Sequence, residues 1–228
     1  MKQFDIVTIF PGIFSAKGGP ASGGDSCCYF DYGIMRQAIK KKLIKINIHD
    51  LRKSTTDKHH TVDDRPYGGG PGMILMVEPI VKMLKSIKKK KKTRVIMLAP
   101  EGKKFDQRQA ERLAKYDQLI LLCGRYEGFD ARVEKYIDEK VSIGDYVLAG
   151  GELAAMVVTE AVARHVPGVV GHEHALDDET FSHDLDYIEY PQYSRPESYK
   201  GQKVPKILLS GNHAEIKKWR QSKRKKRK

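Results

Sequence analysis

Short runs of β-branched and aromatic residues alternate along this chain with stretches whose apolar positions recur every three or four residues. Phe4–Phe10 has the composition of a strand and is stopped by Pro11-Gly12. Asp31–Lys42 fits a helix with Ile34, Ala38 and Ile39 on one side, and Leu43–Ile48 reads as a second strand. Glu78–Ile87 predicts a helix. Thr93–Ala99 predicts a third strand, broken by Pro100-Glu101-Gly102, and Phe105–Tyr116 a charged helix. Gln118–Cys123 is almost continuously apolar, as in a strand buried on both faces of a parallel sheet. It stops at Gly124-Arg125-Tyr126-Glu127-Gly128, and a further helix is expected from about Phe129 to Asp138.

Strand and helix in alternation argue for an α/β layered fold with its ligand site at the strand carboxyl ends. The chain is organised around Ser142–Leu153, in which a short apolar run leads to Gly150-Gly151. The helix that follows, Leu153 to about Val166, is expected to be buried around nearly its whole circumference. Thr159, Glu160 and Arg164 interrupt it, and the last two share a face. A guanidinium on so apolar a helix needs a partner. Either Glu160 pairs with it, or Arg164 points into a cleft roofed by the glycine loop.

The glycine clusters narrow the ligand. Arg65–Met73 is the densest, and none matches the phosphate-cradling G-x-x-x-x-G-K-[ST] or a G-x-G-x-x-G after a strand. A ligand held by backbone groups, with no pyrophosphate to neutralise, fits better. Ser15–Ser26 has the glycine and serine content of a flexible loop. Beyond Pro167-Gly168 the sequence turns acidic and loses periodicity. We therefore expect a main domain over 1–166, a linker over 167–190 and a small basic appendage over 191–228 that carries Trp219.

Charge sharpens the picture. The net charge is +13, yet the segment Lys217–Lys228 holds nine Lys/Arg and Lys88–Lys92 five more, so the remainder is close to neutral. Two concentrated basic patches suit a polyanion such as tRNA; the plain alternative is a solvated loop and a solubilising tail. No run of eighteen apolar residues exists and the N-terminus lacks a signal-peptide pattern. With Cys27, Cys28 and Cys123 as its three cysteines, the chain is expected in a reducing cytoplasm, away from membranes. His172, Glu173, His174 and His183 make no convincing four-ligand set, so no metal site is assigned.

Arg65–Met73, Leu119–Asp130 (LILLCGRYEGFD), Ser142–Leu153 (SIGDYVLAGGEL), Pro167–Gly171 (PGVVG) and Leu208–Arg220 (LLSGNHAEIKKWR) together closely resemble the bacterial tRNA (guanine(37)-N1)-methyltransferase family. Phe10-Pro11-Gly12-Ile13-Phe14 and Asp31-Tyr32-Gly33 echo two earlier motifs of that family. The resemblance implies a SPOUT-type α/β fold: a mostly parallel sheet with helices on both faces, a deep trefoil knot at the cofactor site, and a small basic helical appendage. It implies a homodimer acting on the anticodon stem-loop of tRNA, with S-adenosylmethionine as cofactor. Magnesium is associated with the family's reaction, and its ligands are not readable in this chain.

By motif, the resemblance assigns the cofactor to Leu98, Ala99 and Pro100; to Gly124, Arg125, Tyr126 and Glu127; and to Ile143, Gly144, Asp145, Tyr146, Val147, Leu148, Gly150 and Gly151. Arg164 matches the family's guanine-contacting arginine. The family's general base is an aspartate two residues before a phenylalanine; Phe181 fixes that register here, which puts Glu179 in the position with Asp178 beside it. Ranked below this reading are a SPOUT methyltransferase acting on another RNA base and a non-catalytic RNA-binding module.

Overall fold

In the computed structural model the apolar runs assemble into a sheet in which every strand pairing is parallel. The structure describes residues 1–14, 29–171 and 175–227, and these cluster as two compact units, Met1–Gly171 and His172–Lys228. The predicted loop Ser15–Ser26, Cys27-Cys28 and His172–His174 lie outside the described residues.

In chain order the first unit runs β1 (Lys2–Thr8), α1 (Gly33–Lys40), β2 (Ile44–Asp50), β3 (Asp63–Asp64), β4 (Ile74–Leu75), α2 (Val77–Ser86), β5 (Thr93–Lys104), α3 (Gln107–Ala114), β6 (Gln118–Cys123), β7 (Glu139–Ser142) and α4 (Glu152–Arg164). The large sheet has the order β2-β1-β6-β5-β7, and β3 and β4 form a separate antiparallel pair. Period-two alternation along the central strands feeds two cores. Phe4, Ile6, Leu119 and Leu121 face the side covered by α1, α3 and α4, whereas Val7, Ile120 and Leu122 face the side covered by α2. The fold is thus α/β around a parallel sheet, with helices on both faces, as expected.

Three local readings change. The helix expected over Phe129–Asp138 is instead a single 3-10 segment, Ala131–Tyr136, begun by Asp130, whose carboxylate accepts from the Arg132 amide at 2.9 Å. So short a connection into β7 leaves no room for an α-helix. The strand expected to end before Pro100 continues to Lys104 with its register against β7 shifted between Leu98 and Lys103. Pro100 falls in that irregularity, where no ladder hydrogen bond is lost. Gly102 lies so close to β7 that a Cβ there would stand 2.5 Å from the Val141 nitrogen. Finally, α4 is not buried all round: Leu153 and Val157 are 57% and 46% exposed.

The second unit pairs β8 (Tyr187–Ile188) with β11 (Lys225–Lys226), and β9 (Ser198–Tyr199) with β10 (Gln202–Lys203). It adds α5 (Lys206–Leu209) and α6 (His213–Lys223), the latter capped by Asn212, which accepts from the Glu215 amide. Arg220, Arg224 and Arg227 lie over the rings of Tyr190, Tyr187 and Phe181, at 4.9, 5.3 and 5.9 Å. The basic segment is therefore structural as well as charged, since its arginines cover aromatic surface in the same unit.

Candidate active site

Parallel strands bring their carboxyl ends to one edge, and the polypeptide there must turn away without filling the space between neighbours. At this edge a cavity of about 420 Å³ opens above β5 and β6. Its lining includes three segments: Leu98, Ala99 and Pro100 from β5; Gly124 to Glu127 after β6; and Ile143, Gly144, Tyr146, Val147, Leu148, Gly150 and Gly151 from the connection to α4. Glu134 and Lys140 also border it.

This last connection leaves β7 at the sheet edge and returns to the middle of the sheet. The Gly151 amide donates to the Gly124 carbonyl at 2.9 Å, and Arg125 and Gly150 form a bridge. A Cβ on Gly151 would stand 2.8 Å from the Cys123 Cα and 3.0 Å from the Gly124 nitrogen, so only glycine permits this crossing. One buried ionic group pins the crossing. Glu152, 1% exposed, accepts from Thr8 Oγ1 at 2.7 Å and from Arg125 Nε at 2.9 Å. Arg125 also donates to the Ala149 carbonyl at 3.3 Å, and its guanidinium lies 4.7 Å from the Phe10 ring centre. Burial, with Glu152 adding to it, pushes the Cys123 thiol well above its ordinary value, which makes it an inert core group beneath the crossing.

The cavity's electrostatics disfavour a phosphate. Its two cationic side chains are already paired, Arg125 with Glu152 and Lys140 with Glu101 and Glu134 at 3.1 and 2.6 Å. Glu127 stands in the lining with no ion-pair partner among the described residues. A backbone-rich cleft with a carboxylate to spare suits a ligand that is neutral or cationic at its centre, such as S-adenosylmethionine with its sulfonium and ammonium groups. The residues present fit that group.

Not every expected residue lines the cavity. Asp145 points away, with an 85% exposed side chain paired to Lys104. Arg164, the last residue of α4, is half-buried and ten residues beyond Ala154, which touches the cavity. At 1.5 Å per residue it lies about 15 Å further along the axis. Glu160, one turn earlier, accepts the Tyr29 hydroxyl and pushes that phenol up to about 12. Asp178 and Glu179 belong to the second unit. There the Asp178 carboxylate is engaged by Arg224, and by His183 Nε2 at 3.2 Å. Among the described residues no group of three His, Cys, Asp or Glu stands close enough to hold a metal ion.

Sequence reasoning missed Thr8 and gave Glu152 no role. Glu152 sits within the quoted glycine motif, so an acid directly after Gly-Gly at a helix start was a visible signal. Thr8 offered none, since its partner is 144 residues away.

A parallel α/β domain with a glycine-built cleft at its strand carboxyl ends is the architecture of a small-ligand site. Sequence comparison is more specific. Residues 1–228 match the family described as "tRNA (Guanine-1)-methyltransferase TrmD", and the chain belongs to that family. It is 50% identical over 220 residues to a tRNA (guanine-N(1)-)-methyltransferase of Dictyoglomus turgidum, covering 96% of this chain and 84% of that protein. It is 46% identical over 221 residues to the protein of the same name from Clostridium botulinum strain Hall, covering 97% and 86%. The Caldanaerobacter subterraneus subsp. tengcongensis protein of that name is 45% identical over 221 residues, covering 96% and 86%.

Proposed function

We propose that this protein methylates N1 of guanosine-37 in tRNA, next to the anticodon, in the cytoplasm. Membership of the family carries the reading, and the phosphate-averse glycine cleft supports it. S-Adenosylmethionine supplies an activated methyl group when bound. Leu98 to Pro100, Gly124 to Glu127 and the Ile143–Gly151 loop would hold it, and the return of that loop to β6 is the part of the family's trefoil knot that this reading uses.

The chain acts as a homodimer. Leu153, Val157, Glu160 and Arg164 follow one stripe of α4 at helical spacing. Leu153 and Val157 on that stripe are exposed, as are Tyr146 and Val147 in the preceding loop at 54% and 83%. An apolar surface of this kind calls for cover, and a second copy provides it. Arg164 stands on the same stripe but well beyond its own cavity. Across a dimer it serves the partner's cleft, where it holds the guanine of the anticodon stem-loop.

Guanine N1 carries a proton, and its removal gives the ring nitrogen the electron pair that forms the N–CH3 bond. Glu179 accepts that proton. The Phe181 register carries that assignment, and Asp178 beside it is engaged by Arg224 and His183. The second unit's basic surface adds phosphate contacts that position the tRNA. The test is transfer of labelled methyl to an unmodified tRNA transcript with guanine at position 37 and to one with adenine there. Label in the first and none in the second is expected; equal labelling would make this a methyltransferase for another base.

A further inference from the structure

Because every pairing in the large sheet is parallel, all its strand amino ends emerge at the edge opposite the cavity. Lysine-rich connections arrive there. Lys41 and Lys42 lie between α1 and β2, and Lys88–Lys92 fills the connection from α2 to β5. Hydrogen bonds join these connections into one surface. The Lys2 amide donates to the Leu43 carbonyl at 3.0 Å, Lys90 Nζ to the Met1 carbonyl at 2.9 Å, and the Asp117 amide to the Lys92 carbonyl at 2.8 Å. Lys41, Lys42, Lys88, Lys89, Lys91 and Lys92 are exposed on it. The nearby acids are engaged in the fold: Asp117 accepts from the Lys92 amide and Asp138 from the Val95 amide.

Helix capping does not account for so much charge. A cation stabilises a helix C-terminus only within its last turn. Lys40 and Lys85 already hold those places on α1 and α2, whereas Lys88–Lys92 lies beyond Ser86, the last residue of α2. Nor is Lys2 part of this surface: it is 5% exposed and its ammonium donates to the Leu113 and Tyr116 carbonyls. A run of exposed like charges repels itself, and a polyanion relieves that repulsion. From β2 to β5 the edge spans three strand spacings, about 14 Å. A duplex presents one charge per about 1.7 Å of axis, so several phosphates fit across it.

We propose that this amino-end edge is a second RNA-docking surface, contacting tRNA phosphates remote from the guanine being methylated. The seven residues of β1 separate it from the cavity edge by about 20 Å. The inference rests on the reading of tRNA as substrate. An anionic membrane suits the edge less well, since basic membrane-binding helices also present an apolar face. The apolar residues of α2, Ile80, Met83 and Leu84, are buried in the core.

The experiment substitutes Lys88, Lys89, Lys91 and Lys92 together by Ala in the full chain, leaving Lys90 in place, and measures binding of full-length unmodified tRNA and of an isolated anticodon stem-loop across a salt series. With roughly 0.8 of slope per phosphate contact, the log K against log salt slope for full-length tRNA should fall by about 2 to 3. Affinity near physiological salt should fall tenfold or more, while stem-loop binding and calorimetric cofactor binding stay unchanged. The corresponding four Arg substitutions should restore the slope. Unchanged tRNA binding would overturn the inference, as would equal loss for tRNA and stem-loop, or loss of binding to phosphatidylserine vesicles without loss of tRNA binding. If the unaltered protein binds no tRNA at all, the substrate reading itself fails, which is a separate result.

Discussion

Arg125 Nε donates to Glu152 Oε2 at 2.9 Å, joining the loop after β6 to the first turn of α4 across the floor of the cavity. The same carboxylate accepts from Thr8 at the end of β1, so one buried acid ties three chain segments together. The acid also sits at the start of α4, where the helix dipole favours negative charge. Glu152→Gln replaces one acceptor oxygen by a donor that faces a guanidinium. We expect a loss of about 2 kcal/mol in stability, the scale of a hydrogen bond to a charged group. Cofactor affinity should fall at least tenfold as the Ala149–Gly151 crossing loosens. Thermal unfolding and calorimetry on the same variant check both; if neither moves, the pair does not hold the loop.

Gly151 tests how close the crossing is. The added methyl of Gly151→Ala meets the backbone of Cys123 and Gly124, which cannot rotate aside. A destabilisation of about 1–3 kcal/mol with weakened cofactor binding should follow. Gly12→Ala is the control, because nothing lies within 4 Å of a Cβ there, and it should stay within about 0.5 kcal/mol of the parent. Equal denaturant midpoints for the two variants would contradict the geometry.

The strands of the sheet were legible because burial on two faces writes nearly continuous apolar runs, as in Gln118–Cys123. Glycine density likewise marked two of the three cavity segments, Gly124–Glu127 and the loop to Gly151. Leu98–Pro100 holds no glycine and was reached only through the family resemblance, and the densest cluster, Arg65–Met73, does not line the cavity. The strand order was not legible, because β7 pairs beyond β5 through contacts that no local pattern encodes. Nor was the 3-10 segment over Ala131–Tyr136, where Ala131, Arg132, Glu134 and Lys135 are good helix formers. The exposed stripe on α4 misled for a physical reason: Leu153 and Val157 look like core to any reading of hydrophobicity, and surface awaiting a partner has the same composition as core.

Asp5 gives the fold a pH signature. Burial pushes its carboxyl up, but donation from His49, Gln118, Asn47 and Gln3 more than offsets this and leaves it below its ordinary value. The folded state therefore binds this proton less readily than the unfolded chain. The resulting stability is present above the unfolded carboxyl's pKa of about 3.9 and is lost as pH falls through the lower folded value. Asp5→Asn should cost about 1–3 kcal/mol at neutral pH, because buried donors lose their acceptor. It should also flatten the decline in stability below about pH 4. Urea titrations of both proteins across that range measure the difference; parallel curves would remove Asp5 from the acid response.

The Phe181 register makes Glu179, and not its neighbour Asp178, the proposed base. With Asp178 committed to Arg224 and His183, Asp178→Asn should loosen the second unit slightly, by up to about 1 kcal/mol for so exposed a pair, and leave chemistry nearly intact. Glu179→Gln should lower the single-turnover methylation rate by about 10²–10⁴-fold with near-normal cofactor and tRNA binding. Glu179→Asp should retain activity. If Asp178→Asn is the crippled variant instead, the base belongs to Asp178.

The most direct test is the identity of the product. Purified protein, S-adenosylmethionine and an unmodified tRNA transcript with guanine at position 37 are incubated, and the RNA is digested and its nucleosides resolved by mass spectrometry against the isomeric methylguanosines. The account predicts 1-methylguanosine, located next to the anticodon. A methyl group at another ring position, on another base, or on no nucleoside at all would contradict it.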